Sequence, residues 1–317
     1  MASKRMKNEY RKDYLLDRWV IITANRGKRP KEFVRKEVGK HDEGTCVFCA
    51  GNEQLTPPEI SRIGDGKGGW LVRCFPNKYN AVDLKFQKAY GTHEVIVETP
   101  EHGRRLPELS VEQLEKVLGM YVERTRELGK VRKIRHVTIF KNEGANAGAS
   151  IAHTHTQLIS MDRLPTAIAE KAEAVRARSG RKGGSVHDRI WKGEKREKER
   201  VVYENDHFIA FCPYAPRFAF ETWLYAKVPK SRLVDLSEEE RSSLAEALRE
   251  VLGRMDRLLG EPDYNYYLQS APSKDRHFRF HVEIAPRLNV WAGFEFGSGI
   301  YLNSMPPERA AEALRKA

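Results

Sequence analysis

No stretch of this 317-residue chain approaches the ~20 consecutive apolar residues that a membrane-spanning helix needs, so no membrane partner is expected. The basic start, Met1-Ala2-Ser3-Lys4-Arg5-Met6-Lys7, leads into no apolar h-region, which argues against a secretory signal and makes the cytoplasm the expected location. Cysteine is scarce. The four residues Cys46, Cys49, Cys74 and Cys212 are too few for a disulfide scaffold of this length. Acidic residues are outnumbered by basic ones, 44 against 56, giving a formal net charge of +12. A field of that sign attracts phosphorylated ligands, nucleic acid or acidic surfaces without choosing among them.

What is present is a globular composition, 40% hydrophobic and 32% charged, with enough chain for one to two domains. Two stretches read alike. Gly91–Pro100 followed by Arg105-Leu106-Pro107-Glu108-Leu109-Ser110 matches Phe220–Pro229 followed by Arg232-Leu233-Val234-Asp235-Leu236-Ser237. Each is a β-rich run, a proline-led turn and a Leu-Ser with acidic residues after it. Ser110 and Ser237 have the chemistry of helix N-caps. The spacing predicts helices over about 112–128 and 238–259, with Leu114, Val117, Leu118 and Tyr121, and Leu244, Leu248 and Leu252, on their apolar faces. Strands return after each helix, carrying His153 and His155 in the first half and His281 and Glu283 in the second. Ser110 and Ser237 lie 127 positions apart and His153 and His281 lie 128 apart, a nearly common frame that points to duplication. The expected fold class is α+β, an antiparallel sheet with helices on one face, repeated in tandem. Between the halves, 170–200 reads as a charged helix plus a mobile linker. Apart from Trp191 it lacks aromatics for base stacking, which argues against a nucleic-acid tract.

Chemistry concentrates in His153-Thr154-His155-Thr156-Gln157. Period-two alternation puts His153, His155 and Gln157 on one strand face, followed by apolar Leu158 and Ile159. Three polar side chains there make poor core and good site. Imidazole attacks phosphorus at neutral pH without first losing a tightly held proton, and His155 is the expected nucleophile. The preceding Asn142–Ser150 is small and flexible, suited to close approach of backbone N–H groups to phosphate, with the Ser150 hydroxyl as a further donor. Cys46-Val47-Phe48-Cys49 is half of a tetrahedral zinc site. No second C-x-x-C exists, so histidines must complete it, and His102 and His153 are the candidates. Asn25–Pro30 is a compact basic turn whose Arg26 and Arg29 suit a diphosphate.

Together these elements resemble galactose-1-phosphate uridylyltransferase, a branch of the histidine-triad (HIT) superfamily. The likeness covers nearly the whole chain through 13–30, 46–49, 91–110, 142–157 and the C-terminal half. It implies two HIT-like domains in tandem: 1–185, catalytic and zinc-binding, and 186–317, carrying the sugar pocket and dimer contacts. It implies a ping-pong enzyme of galactose metabolism in which His155 takes a uridylyl group from UDP-glucose and passes it to galactose 1-phosphate. Gln157 and Ser150 would steady the phosphoryl oxygens. Carried over position by position, Cys46, Cys49, His102 and His153 match zinc ligands, and Asn142, Gly148 and Ser150 match nucleotide contacts. Asn77 matches a uridine contact. Arg26 and Arg29 match residues supplied by a partner subunit, implying a homodimer.

The departures are specific. The family's His-Pro-His-Gly-Gln is here His-Thr-His-Thr-Gln. Some relatives carry a second metal, iron or zinc, on an H-x-H of the second half. Here that element is His281-Val282-Glu283, and Ser270 stands where a further histidine is expected, leaving the second site a ligand short. Glu295 is the candidate reader of a sugar hydroxyl, and the continuation through 296–303 looks closer to plant-type ADP-glucose phosphorylases. Two other readings follow. One is a phosphorylase of ADP-glucose or a dinucleoside polyphosphate that uses the same histidine. The other is a non-catalytic nucleotide- or RNA-binding HIT-like protein.

Overall fold

The structure, a computed structural model, describes residues 7–23, 46–180 and 184–317. The first half holds β1 (Glu9–Lys12), β2 (Trp19–Ile22), β3 (Ser61–Gly64), β4 (Trp70–Pro76), β5 (Gly91–Val97), α1 (Val111–Lys130), β6 (His136–Glu143) and β7 (His155–Met161). Helices α2 (Thr166–Arg178) and α3 (Val186–Glu197) lead to β8 (Val201–Glu204), β9 (Phe208–Phe211) and β10 (Thr222–Ala226). Then come α4 (Glu238–Leu259), β11 (Tyr264–Gln269), β12 (His281–Pro286), α5 (Gly293–Ser298), β13 (Tyr301–Asn303) and α6 (Pro307–Lys316).

Ten strands make one antiparallel sheet in the order β3-β4-β5-β7-β6-β11-β12-β10-β9-β8. The run β5-β7-β6 is mirrored by β11-β12-β10 across the β6–β11 seam. This is the pattern of two HIT-like halves joined edge to edge. The seam is short, pairing Phe140–Glu143 with Tyr267–Tyr264. A small three-stranded sheet, β1-β2-β13, ties the chain's start to its end.

Helices α1 and α4 form where the repeat predicts them, and the capping chemistry is as expected. Ser110 Oγ accepts the Gln113 N–H at 3.2 Å. Ser237 Oγ accepts the Glu240 N–H at 3.1 Å, while Glu240 Oε2 accepts the Ser237 N–H at 2.7 Å. Such caps contribute about 1 kcal/mol each. Both helices bury their apolar stripes on the same sheet face, together with α6, against Cys74, Ile96, Ile139, Leu158, Tyr266 and Val282. Each fully buried side chain of that size contributes roughly 1.5–3 kcal/mol.

The opposite face is covered differently from the one-sided packing expected. Helices α2 and α3 pack there through Val175, Val186 and Ile190 against Ile209, Phe211, Trp223 and Tyr225. The segment expected as one charged helix and a linker is thus two helices with apolar anchors; residues 181–183 lie outside the described residues. A third cluster, Cys46, Phe48, Trp70, Phe75, Val95 and Val97, covers the other end of that face. The histidine strand β7 runs beside it.

Candidate active site

His155 opens β7 and is 7% exposed, paired across the ladder with Val97 and edge-on to the Phe48 ring at 5.2 Å. Its Nδ1–H donates to the His153 carbonyl at 2.8 Å, so Nε2 carries the free lone pair. Burial, and after it the Lys141 ammonium behind the strand, pushes its pKa down from the usual 6.5 to about 4. The ring is therefore neutral at physiological pH and ready to attack an electrophile.

Gln157 shares the outer face and is oriented by a residue that the motif did not reveal. The Ala81 N–H donates to His93 Nδ1 at 3.3 Å, which leaves the His93 proton on Nε2. That Nε2–H donates to Gln157 Oε1 at 2.8 Å, and Asn77 Nδ2 donates to the same oxygen at 3.4 Å. With its oxygen engaged, Gln157 has its amide N–H groups left for an anion. Asn77 is itself fixed, its Oδ1 accepting the Tyr79 N–H at 2.8 Å. A polar His93 among the valines of β5 was the available signal for this support.

The Asn142–Ser150 loop is anchored from β11 and the residue before it. Asp263 Oδ2 accepts the Asn146 N–H and Nδ2–H, each at 2.8 Å. Asn265 Nδ2 donates to Asn142 Oδ1 and to the Ala147 carbonyl, both at 2.8 Å. Gly144 has φ +82°, and a Cβ there would lie 1.9 Å from Asp263 Oδ1, so only glycine fits. Gly148 closes the turn at φ +90°. The expected cradle of backbone donors is largely spent within the loop, because the N–H groups of Ala147, Gly148 and Ala149 donate to Gly144 and Ala145 carbonyls. Ser150, which is exposed, remains as the loop's hydroxyl donor.

Cys46, Cys49, His102 and His153 converge, their ligating atoms all within 4.8 Å of one another. His153 Nδ1 lies 3.6 Å from both thiol sulfurs, and His102 Nδ1 lies 3.3 Å from Cys49 Sγ. A tetrahedral zinc with ordinary Zn–S and Zn–N bonds separates sulfur from nitrogen by roughly 3.6 Å, so the donor set fits that ion. The His153 Nε2–H donates to the Thr99 carbonyl at 2.7 Å, which leaves the Nδ1 lone pair facing the thiols. Bound there, a zinc ion would fix the backbone on which His155 sits two residues later.

A second metal near His281 and Glu283, where the sequence already leaves the site a ligand short, does not fit the residues present. The Lys171 ammonium, from α2, bonds Glu283 Oε1 and lies 3.2 Å from His281 Nε2, standing where an ion would. The other carboxylate oxygen is taken by Arg217 and the Tyr267 hydroxyl, both at 2.8 Å. Ser270 Oγ accepts the Leu233 N–H instead. Among the described residues no second metal cluster forms. Glu295 lies on α5, where Oε2 accepts the Ala292 N–H at 2.9 Å, and no hydrogen bond joins it to His155 or Gln157. Arg26 and Arg29 lie outside the described residues.

A family model described as a domain of unknown function (DUF4921) matches residues 90–317. Galactose-1-phosphate uridylyltransferase of Thermotoga maritima is 30% identical over 97% of this chain and 98% of its own. The Haemophilus influenzae enzyme of the same name is 31% identical over 95% and 92%. The chain belongs to the galactose-1-phosphate uridylyltransferase family. It is an enzyme of the nucleotidyltransferase type. Within the same family-wide likeness, ADP-glucose phosphorylase of Arabidopsis thaliana is 28% identical over 97% of this chain and 92% of its own. The structure of an Arabidopsis ADP-glucose phosphorylase with bound ADP-glucose superposes with a TM-score of 0.86 at 27% identity, covering 98% and 99% of the two chains. A uridylyltransferase structure gives 0.76 at 27% identity, covering 97% of each.

Proposed function

We propose that this enzyme moves a nucleotidyl group through a covalent intermediate on His155, with UDP-glucose as donor and galactose 1-phosphate as acceptor. The observation that carries the reading is the tautomer lock: Nδ1–H is spent on the His153 carbonyl, so the buried, neutral ring presents Nε2. In the first step Nε2 attacks the α-phosphorus, a P–N bond forms, and the P–O bond to the sugar phosphate breaks. In the second step a phosphate oxygen of the acceptor attacks the same phosphorus and frees the imidazole. Gln157 N–H groups, backed by His93, and the Ser150 hydroxyl would bear on the phosphoryl oxygens as charge develops. Asn142 and Gly148 would contact the nucleotide, Asn77 the uridine and Glu295 a sugar hydroxyl. Zinc at Cys46, Cys49, His102 and His153 would serve as an anchor.

The reading includes a division of labour, with 1–185 catalytic and 186–317 contributing the sugar pocket and dimer contacts. It also includes a homodimer in which Arg26 and Arg29 reach the partner's site. A cytoplasmic location accords with there being no helix among the described residues long and apolar enough to cross a membrane. A second reading, ADP-glucose phosphorolysis with inorganic phosphate as acceptor, is favoured by the full-length likeness to the Arabidopsis phosphorylase. A matrix of UDP-glucose and ADP-glucose against galactose 1-phosphate and inorganic phosphate separates them. Formation of UDP-galactose supports the first reading, and phosphate-dependent release of ADP from ADP-glucose replaces it with the second.

A further inference from the structure

Strand β7 runs beside β5 from His155 onward, but its ladder with β6 stops at Phe140↔Gln157. Beyond that pair β6 turns to β11, with Lys141 opposite Tyr266 and Asn142 opposite Asn265. No β6 residue is registered opposite His155 or Thr156. The nucleophile thus sits where the sheet opens, which removes a strand partner from one side of its backbone.

The other side of that opening is filled by a polar cluster that the reaction itself does not touch. Thr154 and Thr156 point away from the imidazole, into the helix-covered face, at 2% and 0% exposure. Glu98, fully buried, accepts Lys141 Nζ at 2.6 Å and Thr154 Oγ at 2.7 Å on one oxygen. On the other it accepts Thr156 Oγ at 2.7 Å and the Tyr121 hydroxyl at 2.8 Å. Lys141, also fully buried, gives its remaining N–H groups to Thr154 Oγ at 2.7 Å and to the carbonyl of His155 itself at 3.1 Å. The Tyr266 hydroxyl closes the cluster on Tyr121 at 2.8 Å.

A buried ion pair rarely improves stability over apolar residues of the same volume. Its retention here coincides with a carbonyl that would otherwise lack a donor. Both threonines also stand where the family's usual motif has residues without a hydroxyl. We propose that the Glu98–Lys141 pair, with Thr154 and Thr156, is a positioning element for the nucleophile: from behind the strand it supplies the donor that the opened ladder withdraws from the His155 carbonyl. These are positioning residues that act through the backbone of β7. A fully satisfied network of this kind is rigid, and the imidazole must meet phosphorus within a few tenths of an ångström.

The proposal rests on His155 being the nucleophile, and its test separates the two ideas. In the double variant Glu98→Gln/Lys141→Met both charges of the pair go together, and Glu143, 3.2 Å from Lys141 Nζ, keeps Arg105 at 3.8 Å. The folded double variant is expected to bind nucleotide sugar with wild-type affinity but to form the histidine adduct more slowly, on the order of 100-fold, as displacement of a reacting group by ~1 Å would cause. Thr154→Val is expected to slow the adduct step, and Thr154→Ser to restore it. Thr154 variants carry the test even if the double variant does not fold. Adduct formation at the wild-type rate in folded double and Thr154→Val variants overturns the proposal. If the wild type itself forms no adduct, the nucleophile reading fails and the positioning role falls with it, whereas a wild-type adduct that the folded variants form at the same rate overturns the positioning role alone.

Discussion

Acidification should weaken the fold through His136, the first residue of β6. This imidazole is 7% exposed, and burial alone pushes its pKa from 6.5 down to about 4. The folded value lies below the unfolded one. The stabilising contribution is therefore fully present above pH 6.5 and lost as the pH falls towards 4. At pH 5 an unfolded imidazole is about 97% protonated and the folded one about 9%, a difference worth roughly 2 kcal/mol of stability. Urea unfolding followed by tryptophan fluorescence at pH 7.5 and 5.0, on wild type and His136→Gln, isolates the effect because other titrating groups cancel between the two proteins. The wild type should lose about 2 kcal/mol more than the variant. Equal losses would refute the reasoning that His136 is held neutral by burial. The consequence reaches the site, because β6 also carries Phe140, Lys141 and Asn142.

Three further outcomes follow from the geometry. Gly144→Ala should push the loop off Asp263, leave the thermal midpoint within a few degrees, and cut adduct formation at least 10-fold, as misplacement of a positioning loop does; an unchanged rate would show that the loop is not set by this contact. Metal analysis should find one equivalent of zinc per chain, lost in Cys49→Ser along with activity; a second equivalent bound by the wild type would contradict the assignment of Lys171 as resident cation. Lys171→Met removes one of two cations on buried Glu283, with Arg217 still on the other oxygen, and should cost about 1–3 kcal/mol in chemical denaturation; stability equal to wild type would refute that pairing.

The repeat was legible because capping and hydrophobic periodicity are local. Ser110 and Ser237 begin helices for reasons contained within four residues of each. The zinc-type cluster was legible because a C-x-x-C in a chain with four cysteines has few other uses. Lys171 was not legible: a lysine in a charged helix looks solvated until α2 is seen lying over β12, with Glu283 beneath it. His93, Glu98 and Lys141 were missed for the same reason, since each matters only through strand register, and register is a long-range property. The loop's spent N–H groups were missed because glycine content reports permitted backbone shapes, not which donors remain free. Glu295, expected to read a sugar, was chosen on sequence pattern alone; within one chain its carboxylate caps α5.

The most direct measurement is a mass-spectrometric trap of the covalent intermediate. Wild-type protein mixed with UDP-glucose or ADP-glucose, without acceptor, should gain one nucleoside monophosphate per site. Peptide mapping should find it on the peptide containing His155, and His155→Ala should gain none. A nucleotidyl adduct on another residue, or an undiminished adduct in His155→Ala, would contradict the account.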